Sequence, residues 1–115
     1  MSQNSIPILD LTTTLSGTVS ASRFVTPAGA QAGADANTLG ASRTAGVSGD
    51  KVPVTILGTA TVESGAAFSA GATLKSDSSG RAITWVTSGA KVALALEAAT
   101  ASGQFCEVLL IPNVA

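Results

Sequence analysis

Twelve glycines, at positions 17, 29, 33, 40, 46, 49, 58, 65, 71, 80, 89 and 103, cut the chain into short runs. A glycine inside a helix costs about 1 kcal/mol against alanine, so a chain interrupted this often has little room for helices. The runs between the glycines are rich in Val, Ile, Leu and Thr. Short strands with a turn signal roughly every 8–12 positions are the pattern of an all-β domain. The expected fold is therefore all-β: a small β-sandwich or barrel-like domain with short strands and Gly-rich turns, preceded by an extended N-terminal arm.

Alternation places several strands. In Lys51–Leu57, Val52, Val54 and Ile56 fall on one face and Lys51, Pro53 and Thr55 on the other. Pro53 has no N–H to give a ladder, so this segment reads as an edge strand, or as one whose missing donor faces solvent. Beyond Gly58, Ala60 and Val62 alternate with Thr59, Thr61 and Glu63. Asp77-Ser-Ser-Gly80 is a turn signal, because an Asp carboxylate can bond backbone two residues on. It predicts a hairpin of residues 73–76 with 82–86, with Ile83 and Trp85 sharing a face and Trp85 in the core. Residues 91–97 have helical propensity, yet Val92, Leu94 and Leu96 keep a period of two between Gly89 and Gly103. They read as a strand paired with residues 105–111.

The first 21 residues differ from the rest and are set apart as an N-terminal arm or first strand, with residues 22–115 as a single β domain. Ile6, Ile8, Leu9 and Leu11 show no clean period. They suit either a first strand tucked onto the domain or an arm that orders against a partner. Residues 26–37 carry almost nothing to bury and read as an exposed loop.

The composition excludes most chemistry. There is no His, hence no His-based triad, imidazole metal ligand or imidazole pH switch. The one cysteine, Cys106, can form neither an internal disulfide nor a Cys-rich zinc site, and its apolar-leaning neighbours predict an inert, packed thiol. Seven carboxylates are scattered, each beside a turn or in an alternating segment where a solvated charge is expected. The glycine-rich stretches 40–46 and 46–51 lack the lysine and following helix of a phosphate loop. A net charge of −1 leaves no footprint for nucleic acid or an anionic membrane, and Arg23, Arg43 and Arg81 are too few for a phosphate track. No targeting or membrane-spanning segment is evident, which predicts use in a cytoplasm-like compartment. The reading is not an enzyme: no catalytic residue, cofactor, metal or small-molecule substrate.

What remains is a mismatch between surface and charge. Gly, Ser, Thr and Ala make up 61 of 115 residues, while charged residues are 11% against the ~25% usual in soluble domains. Val, Ile, Leu and Phe number 28, enough for one thin core. Either hydroxyls solvate most of the surface, or copies of the chain or a partner cover part of it. This predicts an oligomer or a docked component.

The order and spacing of several segments carry a resemblance. Residues 46–65 (GVSGDKVPVTILGTATVESG), 70–82 (AGATLKSDSSGRA), 93–103 (ALALEAATASG) and 107–110 (EVLL), with 40–44 (GASRT) upstream, are similar to the tailed-bacteriophage capsid decoration, or head cement, proteins. The similarity covers about residues 22–111. It implies a mostly β virion protein on the outer surface of the icosahedral head, assembled in the host cytoplasm. The implied partners are the major capsid protein and the chain itself, as a homotrimer. Such a protein clamps neighbouring capsid subunits and has no catalytic residues. Ile6, Ile8, Leu9 and Leu11 are the candidate capsid or protomer contacts, and deleting residues 2–15 should weaken head binding while leaving the domain folded. Another phage structural β module, tail or fibre associated, and a small glycan- or receptor-binding module fit the same composition.

Overall fold

The computed structural model describes residues 5–111; Met1–Asn4 of the expected arm and residues 112–115 of the expected domain lie outside them. The fold is all-β, with eight strands among the described residues: β1 (Pro7–Thr14), β2 (Phe24–Val25), β3 (Gly40–Ser42), β4 (Lys51–Glu63), β5 (Thr73–Ser76), β6 (Ala82–Thr84), β7 (Ala93–Ala95) and β8 (Phe105–Leu110). The 13-residue β4 organises the rest. Its first half pairs with β1 on one side and β3 on the other, and its second half pairs with β8. From β8 the sheet continues through β7 and β5 to β6. A bridge between Ser64 and Ala82 then ties β6 back to the end of β4, leaving a nearly closed barrel.

Gly58 is what lets one strand serve both sheets. Its φ is +97°, and a Cβ there would lie 2.3 Å from the Ile6 carbonyl oxygen. The runs on either side of Gly58 are therefore one bent strand. Ala60 and Val62 are buried as their alternation predicts, and so are Val52 and Val54. The edge reading of this segment is corrected: β4 is flanked on both sides at Val54 and Thr55. Arg43 N–H donates to the Pro53 carbonyl, so that residue's peptide groups face the β3 side. The missing Pro53 donor falls just past the last residue of β3, where the ladder has ended.

The barrel is narrow, and alanine fills it. Ala60, Ala82, Ala93, Ala95 and Ala99 are buried with Val62, Phe68, Leu74, Val108 and Leu110. A second cluster of Leu15, Val19, Val25, Val52 and Val54 joins β2 and the first half of β4 to the segment that follows β1. Part of the small-residue excess is thus interior packing. The period of two read for residues 92–96 does not carry through to burial: Val92, Ala93 and Ala95 are in the core, and Leu94 and Leu96 are half-buried.

The 73–84 hairpin forms as expected, with Asp77 Oδ1 accepting from the Ser79 and Arg81 N–H groups at 2.8 and 2.9 Å. Trp85 is not a core residue. It lies half-buried past β6, donates through Nε1 to the Gly89 carbonyl at 2.9 Å, and carries the Lys91 ammonium 4.4 Å from its ring centre. The 26–37 loop has no strand, yet it is folded onto the barrel. Ala32 is buried, and Asp35 pairs with Lys75 at 2.7 Å. Glu63 is likewise not a free solvated charge, since it sits between Arg23 (3.1 Å) and Arg81 (3.5 Å). Arg81 also reaches Asp77, so this network pins the end of β4 to the β5–β6 turn.

Candidate functional site

β1 stands apart from this packing. Seven of its eight residues are exposed, the remaining one is intermediate, and side chains on both its faces meet solvent. Ile6, Ile8, Leu9 and Leu11 are 60, 76, 40 and 41% exposed. An ordinary edge strand packs one face on a core, which is what produces a period of two. Here neither face is packed, and the apolar residues follow no period. Leu57, opposite Leu9 and 38% exposed, extends the apolar strip onto β4. On β8, Phe105 and Leu109 add a second exposed apolar pair that the sequence reading did not single out. Cys106, Val108 and Leu110 on the opposite face are buried, and so is Glu107, which lies between Phe105 and Leu109 on their own face.

Two devices hold β1 in place. At its start, Thr59 N–H donates to the Ile6 carbonyl and Ile6 N–H to Thr59 Oγ1, at 3.0 and 2.8 Å. Near its middle, Arg43 Nη1 donates to Asp10 Oδ2 at 2.9 Å, joining β1 to the segment after β3. The register sets Asp10, Thr55 and Ala41 side by side on one face of β1, β4 and β3. The ion pair therefore crosses β4 above Thr55, which is why that threonine is fully buried on a face expected to be polar and open. The Thr55 hydroxyl lies near the Asp10 carboxylate, though without full hydrogen-bond geometry. With the Arg43 guanidinium, it holds the Asp10 carboxyl below the usual range, against a smaller opposing effect of burial. Both charges are partly exposed, so the pair itself contributes about 1 kcal/mol or less.

The outer edge of β1 is open, and β4 is its partner among the described residues. Since Pro53 turns its peptide groups to the β3 side, Thr12 opposite it forms a non-hydrogen-bonded pair. The N–H and C=O of Thr12, and by alternation of Asp10, therefore point away from β4. Natural edges are usually guarded by lysine, proline or a bulge. From Asp10 to Thr14 this one carries no lysine or proline, and its single charge is already neutralised. The register irregularities lie earlier, between Pro7 and Asp10. β1 ends where Leu15 turns into the second core cluster, so the proposed cut at residue 15 would remove a packed side chain.

Elsewhere the chemistry is sparse. Cys106 is buried, and burial, with the Glu97 carboxylate nearby, pushes its thiol pKa up, as an inert thiol requires. Among the described residues there is no cluster of three or more His, Cys, Asp or Glu able to hold a metal ion, and no helix long and apolar enough to cross a membrane.

Comparison with known proteins bears directly on this geometry. The family model for phage cement proteins matches residues 2–110. The chain belongs to that family. The match takes in β1 and the residues before it, beyond the 22–111 span over which the sequence resemblance was clearest. Among solved structures, the fold is similar to the crystal structure of the head fiber gp8.5 N base in bacteriophage phi29. The TM-score is 0.72 at 18% identity, covering 93% of this chain and 97% of that one. At that identity the likeness is one of fold. No curated protein matches the chain. The cement protein is thus a phage structural component associated with the capsid, built on an all-β fold shared with a head-fibre base.

Proposed function

We propose that this cement protein binds the outside of the icosahedral head and stabilises it by clamping neighbouring major-capsid subunits, with β1 as the docking element. The observation that carries the reading is the state of β1: an ordered strand with exposed apolar side chains on both faces and an unguarded edge. A capsid strand added at Asp10–Thr14 would gain backbone pairing, with alternate side chains setting its register. Residues 1–21 act as the reaching arm and residues 22–115 as the body. A homotrimer presents three such arms, and contacts that are modest singly add through avidity. Phe105 and Leu109, well away from β1 in sequence, are the candidate contacts between protomers. Assembly takes place in the host cytoplasm, onto heads that already display the shell.

The test is to delete residues 2–13, leaving Leu15 in its core, and to measure binding to undecorated heads. The truncated chain should unfold cooperatively yet decorate poorly. Full occupancy by a folded truncated chain would overturn the role of β1.

A further inference from the structure

From Leu9 to Thr14, β1 carries two different faces. Leu9, Leu11 and Thr13 share one, and Asp10, Thr12 and Thr14 share the other. On the first face Leu11 lies opposite Val54 and Thr13 opposite Val52, both buried in the second core cluster. That cluster runs out at β1, where Leu9 and Leu11 are still exposed. On the second face the one charge, Asp10, is already paired with Arg43. The N–H and C=O groups of Asp10 and Thr12 point out along the open edge. A strand with unpaired edge groups and no guard is a template for another strand. The strand that fits must alternate apolar and hydroxyl side chains and bring no acid opposite Asp10. β1 itself meets both conditions.

We propose that the β1 edges of two copies of this chain pair antiparallel about a twofold axis at Leu11. In that register Leu11 faces the partner's Leu11, Asp10 faces the partner's Thr12, and Leu9 faces the partner's Thr13. Leu11 has its peptide groups turned to β4, opposite Val54, so the central pair is the close, non-hydrogen-bonded kind. Asp10 and Thr12 form the hydrogen-bonded pairs on either side of it, about four backbone bonds in all. Leu9 and Leu11 of both copies meet across the axis and extend the second core cluster. The partner's Thr12 hydroxyl stands beside the Asp10 carboxylate, to which it can donate. The two Asp10 side chains lie diagonally across the axis, each already balanced by its own Arg43. One patch serves both copies, as a closed twofold contact requires. The pair rests on the edge geometry and not on docking. It occupies the edge proposed for the capsid strand, so the two copies have to part before either docks there.

Two measurements on the full-length chain test the contact. In sedimentation equilibrium the average mass should rise with concentration, and Thr12→Pro should lower it about twofold at the highest concentration. Proline there deletes an outward N–H and spares the β1–β4 ladder, and thermal unfolding checks that the variant is folded. In the second measurement, Leu11→Cys should form a disulfide-linked dimer on mild oxidation at least about tenfold faster than Ser78→Cys, an exposed position in the β5–β6 turn. Cys106 is buried and does not compete. If Thr12→Pro does not fold, the cross-link decides. A folded Thr12→Pro with the wild-type mass, or a Leu11→Cys rate no greater than that of Ser78→Cys, overturns the proposal. Undecorated heads then separate this contact from docking. Oxidised Leu11→Cys should bind them less than the same protein reduced. Equal binding in both forms removes the β1 edge from docking and leaves the pair standing, whereas head binding by a chain that fails both measurements leaves docking standing without the pair.

Discussion

Ile8→Thr tests whether β1 serves its own fold or a partner. The change replaces an ethyl group with a hydroxyl and keeps the β-branch, so strand propensity is retained. Ile8 is 76% exposed, leaving about a quarter of it covered within the chain. Full burial of an isoleucine side chain is worth about 1.5–3 kcal/mol, so the loss to folding is about 0.5 kcal/mol. For a domain of this size that lowers the melting temperature by roughly 2–4 °C. Covering the remaining three-quarters on docking contributes about 1–2 kcal/mol, so affinity for undecorated heads should fall roughly tenfold per engaged arm. Thermal unfolding by circular dichroism gives the first quantity, and co-sedimentation with heads gives the second. Unchanged affinity would refute the docking role. A fall in melting temperature beyond about 10 °C would show instead that Ile8 is packed within the chain.

Two further outcomes follow from the same geometry. Gly40→Ala places a Cβ 2.0 Å from the Thr55 carbonyl oxygen, a clash with backbone where β3 meets β4; it should cost about 3 kcal/mol or more, read as a lower urea midpoint, and an unchanged midpoint would mean the strands do not approach so closely. The Asp10 pKa is lowered in the folded chain, from 3.8, chiefly by the Thr55 hydroxyl and then by Arg43. Its contribution is therefore present above that value and lost as pH falls through the lower folded one. β1 amides should then lose protection relative to those of β8 at low pH, Asp10→Asn should give the same loss at neutral pH, and equal protection in both conditions would remove the strap.

The legible parts of the fold are those set by neighbours in sequence. Asp77 makes its turn from atoms within four residues, and Val52, Val54, Ala60 and Val62 reveal their buried face by simple alternation. What alternation leaves open is which face goes inward. In Val92–Leu96 the period of two marked a strand but named no inward face; Val92, Ala93 and Ala95 enter the core and Leu94 and Leu96 stay half-buried, an outcome set by strands far away in the chain. Trp85 was assigned to the core by size, yet β6 ends before it, and its indole finds Gly89 and Lys91 at the surface. Pro53 suggested an edge because the length of β3 is invisible locally.

The candidate site divides in the same way. The lack of a period in Ile6–Leu11 was itself the signal of a strand packed on neither face. The Asp10–Arg43 strap and the buried Thr55 beneath it join residues more than thirty positions apart, and pattern reading has no access to such a meeting. In residues 105–110 alternation marks Cys106, Val108 and Leu110 as one buried face, but on the other face Phe105 and Leu109 are exposed while the charged Glu107 between them is buried, the reverse of what residue type suggests.

The most direct test of the docking account is to image undecorated heads mixed with the purified full-length chain by cryo-electron microscopy. The account predicts added density outside the shell at threefold positions, with β1 and its Asp10–Thr14 edge against the major capsid protein. Heads that gain no density, or density in which β1 faces solvent, would contradict it.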